Sequence, residues 1–418
     1  MSGLQIQRDT QLEPRVYVLP EGVTIDSNDV TLDGRGATIL GMDKTGEGIK
    51  VSGRKNITIK NLHVMNYYRG ISIQKSRDIE ITNCTVTATA EVPANTLFLD
   101  IWKPASEAYG GAIFLDEVTD ARIHDNGLQH QMNGILTYHC KRLNVLNNIA
   151  SYCSGFGFHL YDTCDSTFAD NSADYCCRYY LSDAGSHLGA DAAGFLIVYK
   201  SCNNIFRKNY ARLGGDGFFL AGLTPDGIDV GCNSNLFEEN DASYSPNNAF
   251  EGVFSKGNIY RGNKANHSNY GFWLGFSSDC LLTNNQVYSN RQAGIAVENG
   301  IRFEVRNNDI QHNAHGILIW TRSYEFLENL PNMNVTSSDW LIERNKLIQN
   351  KKAIRIAANQ NHGVRPLEME RSAILPQTHR IQNNEIRDNM IGVELEKVKD
   401  TQMNGNILDN LVTNVDEK

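Results

Sequence analysis

The chain has no run of about 18 apolar residues, so nothing in it reads as a membrane-spanning helix. It also lacks a basic cluster: 39 Lys plus Arg face 48 Asp plus Glu among 418 residues. That balance leaves no electrostatic footprint for a nucleic acid or another polyanion. Nine cysteines occur without a single Cys-x-x-Cys, which argues against a zinc site or a disulfide framework and predicts reduced, mostly buried thiols. No calcium-loop or Cys/His ligand spacing is present, so no metal or other cofactor is read from the sequence, although carboxylates around Asp191 and Asp216 could hold a cation instead of protons. The opening residues lack the charged region and apolar run of a secretory leader. A cytoplasmic protein is therefore expected, or a secreted one if a leader was removed. Asn-x-Thr sequons at Asn56, Asn83 and Asn334 weigh little, because Asn-rich repeats generate them by chance.

What the chain does have is a repeat. A small residue opens a run of alternating apolar residues at Gly48, Gly70, Gly111, Gly134, Gly157, Gly194, Gly217, Ala249, Gly271, Gly294, Gly316, Ala353 and Gly392. Seven of the intervals are 22 or 23 residues, and the rest are one unit plus an insert. An asparagine lies eight or nine residues before most of these anchors, among them Asn61, Asn126, Asn148, Asn209, Asn263, Asn285 and Asn308. Asparagine tolerates the left-handed backbone of a tight bend and can hydrogen-bond its copy in the next repeat. The unit is too short for a propeller blade and has no leucine-rich consensus. It suits a coil of short parallel strands stacked at the ~4.8 Å strand spacing.

The run Asn285-Gln-Val-Tyr-Ser-Asn-Arg-Gln-Ala-Gly-Ile-Ala-Val resembles the weak repeat of the right-handed parallel β-helix (pectin-lyase-like) superfamily. The resemblance covers roughly residues 30 to 412 and implies an all-β solenoid of about 12–13 coils. Residues 1–35 read as a lead-in or cap, 36–412 as a single β-helix domain and 413–418 as a tail. Terminal coils need capping, and an uncapped end leaves a homo-oligomer open.

Five inserts interrupt the repeat. Those near 85–108 and 172–190 enter the strand that begins at the anchor, and those near 223–234, 321–338 and 357–378 leave it. Loops would raise both edges of one sheet, making it the floor of a groove. Counting each anchor as zero, positions −1, +2 and +4 point outward. The outward residues include His159, Tyr161, Asp216, Asn248, Glu251, Tyr270, Trp273, Glu298, His315 and Trp320, while the early coils offer Ser72 and Gln74.

Aromatic faces stack on the C–H faces of sugars, and carboxylates and amides hydrogen-bond hydroxyls. Asp216 and Glu251 fall on neighbouring coils at a Cα separation of ~11 Å. Their carboxyls could then approach to roughly 6 to 9 Å, the inverting-glycosidase range. Asp191, ~8 Å from Asp216 by the same reckoning, adds a third carboxylate. One of the three could stay protonated as general acid. Trp273, Tyr270 and Trp320 read as sugar platforms. Asn248, Glu298, Tyr161, His159 and His315 read as further substrate contacts, and His159, His187 and His315 as possible proton shuttles.

The superfamily resemblance implies carbohydrate chemistry: hydrolysis, β-elimination, uronate epimerisation, transglycosylation or binding alone. No Gly-His-Gly with paired aspartates, Arg-x-Pro-x-x-Arg or Asp-Pro-His appears, so no specific activity of the superfamily carries over. A uronate lyase or epimerase needs cations near its base, and the middle coils offer only Lys200, Lys256 and Arg212 outside the outward columns. The first expectation is therefore a glycoside hydrolase or transglycosylase on a neutral or weakly charged oligo- or polysaccharide. A polysaccharide lyase or uronate epimerase comes second, and a non-catalytic glycan-binding β-helix third.

Overall fold

The computed structural model describes residues 2–93, 97–182, 185–189, 191–322, 329–330, 333–358 and 375–418. Much of the insert near 321–338 and most of the one near 357–378 lie outside the described residues. Two compact units are found, Met1–Phe219 and Leu220–Lys418.

In the first unit the strands Val23–Ile25, Glu47–Ser52, Arg69–Gln74, Gly111–Asp116, Ile135–Tyr138, Phe156–Tyr161 and Ala193–Val198 pair in that order, all parallel. Register lines up Ile49, Ile71, Ile113, Ile135, Phe158 and Phe195 as one inward column. All six are fully buried, and the Phe158 and Phe195 rings stack at 4.6 Å. A second parallel sheet runs through Lys55–Met65, Arg77–Thr82, Thr119–His124, Lys141–Leu146, Thr167–Ala169 and Ile205–Arg207. It contributes Ile57, Ile79, Ala121 and Leu143 to the same interior.

The small anchors have a steric cause. A Cβ on Gly134 would lie 2.4 Å from the Gly157 carbonyl oxygen, and one on Gly157 2.6 Å from Ala173 Cβ. A side chain there would push neighbouring coils apart. The asparagines also form the ladder their spacing suggests. Asn126 Nδ2 donates to Asn148 Oδ1 at 2.9 Å, Asn148 to Asn171 at 3.1 Å and Asn171 to Asn209 at 3.1 Å. Each also caps a buried backbone carbonyl, as Asn148 does for Ile123. Asn61 stands apart and donates to Asp33 instead.

The second unit repeats the plan with Asn248–Val253, Tyr270–Trp273, Ala293–Glu298, His315–Trp320, Lys352–Ala357, Ile391–Glu396 and Thr413–Glu417. Phe250, Phe272, Ile295, Ile317, Ile354 and Val393 form its inward column. Besides the ladder through Asn263, Asn285, Asn308, Asn345 and Asn384, a further one climbs through Asn290, Asn313, Asn350 and Asn389.

Three boundaries differ from expectation. The presumed tail is a strand, because Thr413–Glu417 adds to the sheet beside Ile391–Glu396. The presumed lead-in already coils, with Leu4–Ile6 pairing Val23–Ile25. The anchor at Gly111 is displaced by one residue: Gly111 pairs with Arg69 and Ile113 with Ile71, which makes Ala112 the equivalent of Gly70. In a strand a one-residue slip exchanges the two faces, so Phe114 and Asp116 point outward.

Candidate active-site face

The corrected register brings charge and aromatic rings together on the outward face of the first unit. Glu47 pairs with Arg69, Ser72 with Phe114, and Gln74 with Asp116. Asp116 pairs in turn with Tyr138, and Tyr138 with Tyr161. The Arg69 guanidinium lies 3.6 Å from the Phe114 ring centroid, close enough for a cation–π contact. Its Nη2 donates to the Ala105 carbonyl at 3.2 Å, and Glu47 is 3.9 Å away. Its Nε is buried with no hydrogen-bond partner. Burial works against the charge of Arg69, but a guanidinium stays protonated in a protein.

Asp116 carries the complementary anomaly. One carboxylate oxygen is buried without a partner, and burial raises its pKa while His139 opposes the rise. The His139 Nδ1–H donates to the Asp162 carboxylate at 2.8 Å, which orients the ring. Tyr138 is buried 5.6 Å from Phe114 and 5.2 Å from Tyr161. Tyr161 stacks on Tyr199 at 4.3 Å, and burial raises its phenol pKa first, with Tyr199 adding to the effect. The entry edge is walled by the insert between the strands Thr85–Thr87 and Gly111–Asp116. Arg178, from the next insert, clamps this wall by donating to the carbonyls of Val92, Leu97 and Ser154 at 3.1–3.2 Å and to that of Pro93.

His159 is corrected. The exposed shuttle expected there is a buried imidazole packed 5.3 Å from Phe156 and 5.2 Å from Tyr138. Desolvation drops its pKa to about 3, and neither ring nitrogen has a partner. Tyr161 is buried as well, at 6% exposure. His187 lies in the Gly185–Leu188 strand, its ring 5.3 Å from Phe98. Burial alone lifts the Asp191 carboxyl to about 7. The Asp216 N–H donates to the Ala192 carbonyl at 3.1 Å, which sets the Asp191 turn against the start of the Asp216 strand. Asp216 itself is buried, at 1% exposure.

Glu251 belongs to the second unit, paired in register with Trp273 and hydrogen-bonded by Asn248 Nδ2. Asn248 is buried, Glu251 half-buried. Tyr270 and Trp273 are half-buried on the same face, their centroids 5.1 Å apart. They lean on a packed cluster of Ala293, Ala296, Leu318 and Trp320. Trp320, expected to be an open sugar platform, is 2% exposed inside that cluster. Apolar neighbours at the outward positions Ala296 and Leu318 give its ring something to pack on. Glu298 is buried too. His315 is partly buried, and desolvation first, then Lys352 and Arg355, lowers its pKa to about 4.

Sequence reasoning missed Arg69, Phe114, Asp116 and His139. The signal was present: placing Ala112 at zero makes the intervals on either side 42 and 22 residues, and brings Asp116 into the column of Gln74 and Tyr138.

Comparison with known proteins agrees on the architecture. A family model described as "Right handed beta helix region" matches residues 221–330, and that of "Periplasmic copper-binding protein (NosD)" matches residues 21–219. Among solved structures, the periplasmic alginate epimerase AlgG superimposes with a TM-score of 0.52 at 14% identity, covering 96% of this chain and 85% of its own. The chain is a right-handed parallel β-helix protein. The A-module of the Azotobacter vinelandii mannuronan C-5 epimerase AlgE6 matches at TM-score 0.47 and 13% identity, covering 99% of this β-helix and 91% of its own chain. PfbA, a surface adhesin of Streptococcus pneumoniae, matches at 0.40 and 11%, covering 98% and 83%. No curated protein matches the chain. The expected cytoplasmic location is overturned, because the family that matches the first half of the β-helix is named as periplasmic, as is AlgG. Copper is part of that family's name, and among the described residues no group of three His, Cys, Asp or Glu side chains that could hold a metal ion is found.

Proposed function

We propose that this β-helix is a carbohydrate-active enzyme of the periplasm or cell exterior. In this reading it acts at C5 of a uronate-containing polysaccharide, as an epimerase or a β-eliminating lyase. The observation that carries the reading is Arg69, a mostly buried cation stacked on Phe114 with Asp116 and Tyr138 near it, from which ring contacts run through Tyr161 to His139. AlgG, whose fold the chain shares, is named as an alginate epimerase and supports the same substrate class.

The chemistry follows from the roles these groups can fill. Arg69 pairs with the uronate carboxylate and stabilises the negative charge that spreads into it as the C5–H bond breaks. His139, oriented by Asp162, accepts that proton at Nε2. Tyr161, whose raised pKa keeps its phenol protonated at neutral pH, returns a proton to the other face of C5 in an epimerase. In a lyase the C4–O bond breaks instead, and the departing oxygen takes the proton. His159 Nδ1 and Nε2, buried and unpartnered, gain partners only if a ligand hydroxyl reaches them. Tyr270 and Trp273 are proposed as sugar contacts in the second unit.

The test is incubation with polyuronates in deuterated water. Deuterium at C5 by NMR supports an epimerase, and absorbance near 235 nm from an unsaturated uronate supports a lyase. Hydrolysis of a neutral glycan, with no exchange at C5 of any polyuronate, overturns the proposal. A glycosidase is the second reading. It is favoured by Asp191, whose carboxyl near 7 suits a general acid with Asp216 beside it.

A further inference from the structure

Nine thiols sit in this chain, and two pairs of them touch across adjacent coils. Cys153 and Cys176 interact thiol to thiol, as do Cys164 and Cys202. The first pair is sealed, at 1% and 0% exposure. The second lies in surface turns, both residues partly exposed.

The two turns run in register. Thr163 N donates to Ser201 Oγ at 3.0 Å, Asp165 N to the Cys202 carbonyl at 3.2 Å, and Ser166 N to Asn204 Oδ1 at 3.0 Å. Cys202 N donates to Cys164 Sγ itself at 3.4 Å. Equivalent residues of stacked coils are ~4.8 Å apart, inside the Cα range of about 4.4–6.8 Å that a disulfide spans.

We infer that Cys164 and Cys202 form an inter-coil disulfide under oxidising conditions, while Cys153 and Cys176 stay reduced. The bond would close the loop that carries Arg178 and Asp191 and tie together the turns that follow the strands Phe156–Tyr161 and Ala193–Val198. The oxidant is a small disulfide such as oxidised glutathione. The thiolate of one cysteine attacks it, one glutathione thiol leaves, and the second cysteine displaces the other. One S–S bond forms in the protein as one is reduced in the oxidant, and two glutathione thiols carry away both protons. The contact between the thiols raises the Cys164 pKa, so the reaction is expected to run faster at alkaline pH.

The inference does not rest on the proposed activity. Reduced full-length protein is treated with oxidised glutathione, quenched by alkylation in denaturant and weighed intact, then digested without reductant. The expected result is a loss of two hydrogens, a peptide joining Cys164 to Cys202, and alkylation at Cys153 and Cys176. Cys164→Ser should abolish the loss and leave a single glutathione adduct on Cys202. Nine alkylated thiols after oxidation, a Cys153–Cys176 peptide, or only mixed disulfides in the wild type would overturn the inference. The wild-type masses decide it even if the variant folds poorly.

Discussion

Two charged clusters occupy comparable outward positions, one in each unit, and they are built on opposite principles. In the second unit Glu394, its side chain 1% exposed, receives Lys352 Nζ at 2.6 Å, Lys418 Nζ at 2.8 Å and the Arg355 guanidinium. Arg355 reaches Glu396 as well, at 2.6 Å. These cations outweigh desolvation and hold the Glu394 carboxyl down at about 2. In the first unit Arg69 has a distant Glu47, an orphaned Nε and an aromatic ring for company, and Asp116 has an orphaned oxygen. Buried polar groups are paired in nearly all proteins. A cluster that pairs all its charges internally serves the fold, whereas one that leaves them unpaired is waiting for something else.

The largest effect expected from this contrast is catalytic. Arg69→Ala should lower turnover on a polyuronate about 10²–10³-fold, as removal of a preorganised charge-stabilising donor does. His139→Ala should cost about 10²–10⁴-fold as a lost general base. Arg355→Ala should leave turnover unchanged. Steady-state rates on one substrate read all three, and an activity loss for Arg355 equal to that for Arg69 would erase the distinction.

Stability should respond in the reverse order. Glu394→Ala strands Lys352 and Arg355 beside each other in a partly buried site, and breaking such a pair costs about 3–5 kcal/mol. Denaturant unfolding of Glu394→Ala against Asp116→Asn checks this, the latter expected to be neutral or stabilising because it removes an unpaired buried charge.

How much of this was legible in the sequence differs by level. The stack of coils was readable because Gly134, Gly157 and Gly194 recur for a steric reason and Asn126 and Asn148 for a hydrogen-bonding one. Those constraints act locally and leave a mark at fixed spacing. The cluster around Arg69 was hidden by Gly110-Gly-Ala-Ile-Phe-Leu, where either phase places apolar residues inside. Only Asp116 distinguishes the phases, and a 42-residue interval conceals the count. Trp320 misled for a different reason: an outward ring is exposed only if the columns beside it are polar, and Ala296 and Leu318 are not.

His159 offers a pH test of the unpaired face. Its folded pKa of about 3 lies below the ordinary value near 6.5. Between those values the unfolded chain holds a proton that the native state refuses. The stability involved is present above about pH 6.5 and lost as pH falls toward 3. One such group predicts a loss of about 2 kcal/mol between pH 6.5 and 5. His159→Phe should flatten unfolding curves in that window. Glu394 acts lower, its contribution fading only as pH falls from about 4.5 toward 2.

The smallest effect belongs to groups that are satisfied but neutral. Asn148 donates to Asn171 and to the carbonyls of Ile123 and Leu146, and accepts from Asn126. Asn148→Ala would leave buried partners on two coils unmade, at about 1–3 kcal/mol. Asn406 accepts from Asn384 and donates to the Ile381 carbonyl at 2.7 Å, but both bonds are only partly buried and water can replace it. Asn406→Ala should therefore cost about 0.5–1.5 kcal/mol, and unfolding midpoints for the two variants measure the gap. Equal costs would mean that the ladder stabilises through coil geometry and not through burial. Unpaired atoms at Arg69 and Asp116 would then lose their force as a sign of function.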